Sequence, residues 1–323
     1  MAVAQSHLLA EATDGSWMRS DRVSDRHCCQ LVSSLLLLPG IDRGSVRRIL
    51  TDRESLPEDP DQLLEMVARS DLMSSVRPDI EQCSNAWEVS IKLLESLPAK
   101  NLEVVPFSSS RFPEPLQRLE DAPALLFVRG SVDVLQRHCI AVIGSRSADD
   151  FGQEMAGTVG RRCAAAGYPV VSGLAAGCDT AAHRGCLDGG EPTVAFLAHG
   201  LDHVFPPENS SLADQIVAEG GALVSEYLPH QEPDSDRFIE RDRLQSGLSS
   251  RVIFIQSELT GGAMHTVQFA RQQQRPIAVI VAAENDVSGE LYAGNRRLIA
   301  DGGVWPISHL THLDRFLSQH QTG

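Results

Sequence analysis

Several short apolar runs in the second half of the chain end in glycine, and the residues just beyond those ends could bind an anion. The run 140–143 leads into Gly144-Ser145-Arg146 and then Asp149-Asp150-Phe151-Gly152. Glycine lets backbone N–H groups approach a ligand, a helix start offers donors with no partner inside the helix, and Arg146 adds a forked cation. An anion site is the natural reading. The run 169–171 leads into Ser172-Gly173-Leu174-Ala175-Ala176-Gly177-Cys178-Asp179, a second loop of the same construction. One such loop alone often only turns the chain, but two in tandem favour a ligand. Asp179 and His183 lie four apart and would share a helix face, which invites acid/base chemistry. Asp179 as an N-cap, with His183 bonded to a neighbouring loop, accounts for the pair without catalysis. His199 and His203 have metal-like spacing with no third ligand, and none of the seven cysteines forms a Cys-x-x-Cys pair, so no metal site is expected.

The elements that must hold these loops are legible in the apolar pattern. Runs at 140–143, 169–171, 193–197, 222–224, 252–255 and 277–281 read as buried parallel strands, and 153–166, 181–187, 212–218 and 266–273 as crossover helices. The fold class is α/β, a Rossmann-like, doubly wound and mostly parallel sheet, in which ligands sit beyond the carboxyl ends of strands. Before it, residues 26–104 carry apolar residues at helical spacing broken by Pro39-Gly40, Pro57 to Pro60 and Pro78, and read as a small all-helical domain. Within it, 38–50 resembles a helix-hairpin-helix, with Asp42 replacing the usual second glycine; a packing turn is the simpler reading. Residues 1–25 read as a flexible lead-in, 105–310 as the sheet domain and 311–323 as a short tail.

Composition narrows the partners. A net charge of −15 excludes nucleic-acid binding by blanket basicity, so any such site must be local. Lysine occurs only at Lys92 and Lys100, so arginines would have to meet phosphates. No run of about 18 apolar residues could cross a bilayer and no secretion signal opens the chain. Scattered cysteines fit a reducing cytoplasm.

Further loops complete a pattern: Gly200-Leu201-Asp202 with Phe205-Pro206-Pro207-Glu208-Asn209, then Ser225-Glu226-Tyr227, then the block from Phe238 to Ser249 with Arg241, Asp242 and Arg243. Together with the two glycine loops, in this order, and with the entry segment Arg111-Phe112-Pro113 to Arg129-Gly130, the chain resembles the DprA/Smf (DNA-processing protein A) family over roughly 105–305. That resemblance implies a domain that binds single-stranded DNA in a positive pocket, dimerises as a homodimer and loads the RecA recombinase during natural transformation or recombination, without turnover and without a cofactor. Carried over, Gly144, Ser145 and Arg146 would hold one DNA phosphate. The backbone around Ser172, Gly173, Leu174 and Gly177 would cradle another, and Arg241 and Arg243 would line or brace the pocket. Alternatively, Arg241 and Arg243 pair with Glu226, Glu240 or Asp242 to hold the loops.

The chain departs from the family at Asp242, where Asn is usual, at Gln256-Ser257, where Glu-Ala is expected, and at Ile280-Val281-Ala282 in place of Val-Pro-Gly. Its end at Gly323 leads to the expectation that the winged-helix domain of many members is absent. Two other readings stay open. Residues 261–268 resemble the Gly-Gly-x-Gly-Thr-x-x-Glu segment of LOG-type nucleoside monophosphate hydrolases, but Gln268 stands near the place of the glutamate and an amide cannot act as base. The same loops could instead serve a sensor of a nucleotide-derived ligand.

Overall fold

The computed structural model describes residues 25–41, 43–51, 56–70, 77–281 and 289–319. The lead-in before Asp25, the Asp42 substitution and Ala282 lie outside the described residues. The chain divides into two compact units: a first that runs to Phe112 and takes in Asp121–Leu126, and a second made of Pro113–Glu120 and the chain from Phe127 onward.

The first unit carries helices α1 (Asp25–Leu37), α2 (Arg43–Thr51), α3 (Pro60–Ala68) and α4 (Ile80–Ser96), then strand β1 (Glu103–Pro106). Local chemistry sets the helix starts. Asp59 caps α3 by accepting from the Gln62 N–H, with Pro60 in the first turn, and Asp79 with Gln82 forms a capping box on α4. The turn after α1 closes through Gly40 at φ 78°, and Leu38, Ile41, Val46, Ile49 and Leu50 on either side of it are buried. These side chains give the hairpin a packing role, as the simpler reading of 38–50 expects.

The second unit holds α5 (Glu114–Gln117), β2 (Leu125–Gly130) from Phe127 onward, β3 (Cys139–Ile143), α6 (Asp150–Ala165), β4 (Val170–Ser172), α7 (Cys178–Asp188), β5 (Thr193–Phe196), α8 (Ser210–Ala218) and β6 (Ala222–Ser225). It continues with α9 (Ser235–Leu248), β7 (Ser249–Phe254), α10 (Ala263–Gln272), β8 (Ile277–Ile280), α11 (Ala293–Asp301), β9 (Trp305–Ile307) and α12 (Leu310–Ser318). From β2 the strands lie in the order β2-β6-β5-β4-β3-β7-β8-β9. The ladders from β6 through β9 are parallel, and β2 alone pairs antiparallel, with β6. The expected α/β, doubly wound, mostly parallel class is therefore the observed one, preceded by a helical region.

Alternation along the strands divides the core. Ile140 and Val142 face a layer containing α6, α7 and α12, whereas Ala141 and Ile143 face α10 and α11. After β3 the chain builds outward through β4, β5 and β6, then returns to place β7 on the other side of β3. The strand order thus reverses at β3, the position where open α/β sheets leave a crevice.

Strands β1, β2 and β9 and helices α5 and α11 lie where the sequence reading placed no element, and two further helices depart from it. Residues 311–318, read as part of a short tail, lie in α12, whose Leu313, Phe316 and Leu317 are buried in the core. The block after Ser225, read as loop, contains α9, eight of whose residues, Arg241 to Leu248, are buried in succession. No helix among the described residues is long and apolar enough to cross a membrane.

Candidate functional site

A cavity of about 400 Å³ opens at the carboxyl ends of β3, β4 and β7. Its walls come from the 143–147 loop, Ala175 and Asp179, the exposed start of α9 with Phe238, and the 257–266 segment that begins α10. The loop after β3 is fixed on both sides: the Ser145 N–H donates to the Gln256 carbonyl at 2.7 Å, and the Ser145 carbonyl accepts from the Cys178 N–H at 3.1 Å. Gly144 is required there because a Cβ would collide with Cys178. Arg146 is exposed at the mouth, its guanidinium 4.4 Å from the centre of the Phe238 ring. Phe205, 41% exposed, lies 6.1 Å from Phe238, so apolar ring surface adjoins the cation.

Of the residues expected to meet or brace a phosphate, Gly144, Ser145, Arg146 and Arg241 line this cavity. The others do not. The Ser172 hydroxyl is buried and donates to the Val142 carbonyl. The Gly173 N–H, expected to meet a phosphate, is already held by Asp179 Oδ2 at 3.0 Å, and the Ala175 N–H donates to the same oxygen at 3.3 Å. Gly173 lacks a side chain for a different reason: a Cβ would strike the Arg241 guanidinium. Leu174 is buried with φ 58°, and its carbonyl accepts from Asn209 Nδ2 at 2.8 Å. Gly177, at φ 75°, packs against the backbone of Ser145 and Arg146 and faces an adjoining hollow between α6 and α7. The start of α6 is not a free anion site either, since Asp149 caps it by accepting from the Gly152 N–H at 2.7 Å. Asp179, expected as an N-cap, instead braces the glycine loop, and Gly177 caps α7.

The two arginines of α9 are buried and internally bonded. Arg243 makes a forked pair with Glu226 at 2.6 and 2.8 Å and also donates to the Glu240 carbonyl. Arg241 donates to the Gly173 and Phe196 carbonyls and, through Nε, to Asp242 at 3.2 Å. Gln245 joins them when its amide oxygen faces Arg241 and the Gly173 N–H. Burial pushes Asp242 up to about 7, against the attraction of Arg241 and with repulsion from Asp179 adding to the rise. Burial likewise raises Asp179, again opposed by Arg241. Burial, then Arg241, pushes His183 down to about 3, so it is a neutral ring bonded through Nδ1 to the Thr193 hydroxyl at 2.7 Å. His199 and His203 stack at 4.6 Å, and no cluster of three metal-ligating groups occurs among the described residues.

Sequence reading did not single out Phe238, Asp242, Glu258, His265 and Thr266 as parts of one wall. The glycines at 261 and 262 ahead of a helix were the available signal.

A doubly wound sheet with a cavity at its switch point, bounded by a glycine loop, an exposed arginine and a helix start, defines a Rossmann-like protein with its cavity where this class places ligands. The profile of the DNA recombination-mediator protein A family matches residues 103–317. The chain belongs to that family. It is 30% identical to the DNA processing protein DprA of Bacillus subtilis over 66% of this chain and 72% of that one. It is 31% identical to Protein Smf of Escherichia coli over 63% of this chain, spanning 54% of the relative's length. Among solved structures, DNA processing protein A of Streptococcus pneumoniae matches with a TM-score of 0.74 at 23% identity, covering 92% of this chain and 99% of that one. The Helicobacter pylori protein, solved in a study of its single-stranded DNA binding mode, matches with a TM-score of 0.59 at 27% identity over 67% of this chain and 95% of its own.

Proposed function

We propose that this chain binds single-stranded DNA at the switch-point cavity and acts in DNA processing, delivering the strand to a RecA-type recombinase as a cytoplasmic homodimer. The observation that carries the reading is Arg146: an exposed guanidinium stacked on Phe238 at the mouth of a cavity, in a chain whose relatives are DNA-processing proteins. Family membership supports the recombinase and dimer assignments, and the solved Helicobacter pylori relative supports the ligand. In this arrangement Arg146 meets a phosphate, Gly144 and Ser145 let the backbone approach it, and Phe238 and Phe205 offer faces on which bases stack. Arg241 braces the wall from behind. Ser172, Gly173, Leu174, Gly177 and Arg243 shape the loops and need not touch DNA.

A binding role without turnover fits the carboxylates of the wall. Of the three carboxylates there, the two buried ones are engaged, Asp179 by two backbone N–H groups and Asp242 by Arg241, and Glu258 is exposed on the loop after β7. The cavity also has room for a mononucleotide, which keeps a nucleotide sensor as the second reading.

Fluorescence anisotropy with a labelled oligothymidine of about 20 to 35 nucleotides, a single strand long enough to engage both protomers of a dimer, tests the reading. The single strand should bind in preference to a duplex of equal length, and Arg146→Ala should weaken it at least about tenfold, the loss of one charge-assisted contact. The thermal midpoint should stay nearly unchanged, since an exposed loop residue is being altered. Parent-like binding by Arg146→Ala would misplace the site. Competition by thymidine monophosphate at equal concentration would favour the sensor.

A further inference from the structure

Asp242 and Asp179 approach one buried guanidinium, Arg241, from two elements. Asp242 follows Arg241 on α9 and lines the cavity; Asp179 opens α7 and also lines it. All three are less than a tenth exposed. With both carboxylates ionised this trio carries a net negative charge in the wall of a cavity whose lining holds one exposed Lys or Arg, Arg146. A phosphate entering beside it is repelled by that charge. Protonating one carboxyl neutralises the trio. Asp242 is the carboxyl better suited to do so, because it is held by side chains, Arg241 Nε at 3.2 Å and the Thr266 hydroxyl, whereas Asp179 accepts two backbone N–H bonds that favour its ionised form.

We propose that binding of an anionic strand in this cavity is coupled to uptake of a proton by Asp242, so that the protein holds single-stranded DNA more tightly below neutrality than above it. This rests on the DNA-binding reading above and adds a specificity-determining residue to it. The other charged or titratable groups of the wall are Arg146 from the loop after β3, Glu258 from the loop after β7 and His265 from α10; Thr266, also on α10, supplies a hydroxyl to Asp242. Burial lifts Asp242 to about 7, so its proton is exchangeable in the range where binding is measured. A bound phosphate would raise it further.

The test is oligothymidine affinity, by anisotropy at constant ionic strength, from about pH 5.5 to about pH 8.5, a span that brackets the titration of a group near neutrality. Parent, Asp242→Asn and His265→Gln are compared. The parent should weaken with rising pH, approaching about tenfold per pH unit at most, as uptake of one proton requires. Asp242→Asn, neutral and of the same shape, should bind with little pH dependence, while His265→Gln keeps the parent's slope. Calorimetry of the parent in two buffers of different ionisation enthalpy should show up to one proton taken up per site, and this needs no variant to fold. An Asp242→Asn slope equal to the parent's, a slope abolished by His265→Gln, or no proton uptake would each overturn the coupling. Absence of oligothymidine binding at every pH would instead overturn the DNA-binding reading itself.

Discussion

Arg146 and Arg243 are the same residue type in segments of one family pattern, yet folding gives them opposite environments. Arg146 is exposed and rests on a ring, whereas Arg243 is 7% exposed and forked onto Glu226. Removing one partner of a buried ion pair strands the other charge and costs about 3–5 kcal/mol, so Arg243→Met should lower unfolding stability by that order in urea titrations. DNA affinity in Arg243→Met should fall only to the extent that folding does, the converse of Arg146→Ala. A variant that kept full stability and lost binding would move Arg243 into the ligand site. Sequence order identified both arginines as important, but burial is a property of what packs over a side chain, and the partner Glu226 lies 17 positions away in the bend after β6. The same holds for Gly173, whose missing Cβ makes room for Arg241 across 68 positions of chain.

At the scale of elements, β1, β2 and β9 escaped the sequence reading, but β3 to β8 were legible because each is a short apolar run with β-branched residues, and the parallel sheet buries both faces. Helix α9 was not, because its buried stretch contains Arg241, Asp242, Arg243, Gln245 and Ser246. Those groups find partners inside the fold, Arg243 in Glu226 and Arg241 in two carbonyls and Asp242, so polar residues stand where the apolar period that marks a helix would be. Glycine within helices is the opposite case, a local weakness that tertiary packing explains. Gly185 on α7 lies so close to α6 that a Cβ would collide with the Gly157 carbonyl. Alanine would gain about 1 kcal/mol of helix propensity. The obstacle is backbone, which cannot rotate aside, and overpacking of this kind costs about 1–3 kcal/mol. Gly185→Ala should therefore destabilise on balance, by about 1 kcal/mol in chemical denaturation, despite the better helix former. A more stable Gly185→Ala protein would show that the two helices can separate without loss.

For the whole molecule, the order of the loops along the chain was readable because it is covalent, and it sufficed to indicate the sheet and the family. The shape of the cavity was not, since its wall draws on segments from Ile143 to Thr266 that meet only at the strand-order reversal beside β3. Net charge has the clearest consequence at this scale. At −15, the protein as a whole repels a polyanion, and the cavity opposes that with one exposed Lys or Arg among its lining residues. Each phosphate neutralised on a single strand contributes a slope of about −0.7 to log K against log salt. One such contact per protomer predicts a slope of about −0.7, or about −1.4 if two protomers hold one strand. A continuous basic groove with five or more contacts would give about −3.5 or steeper. Screening of the long-range repulsion by salt acts in the other direction and flattens the dependence further. Oligothymidine affinity measured from about 50 to about 400 mM salt, where counterion release dominates the slope, should therefore fall only several-fold, and Arg146→Ala should remove most of that decline. A parent slope steeper than about −3 would mean that arginines outside the cavity carry the strand.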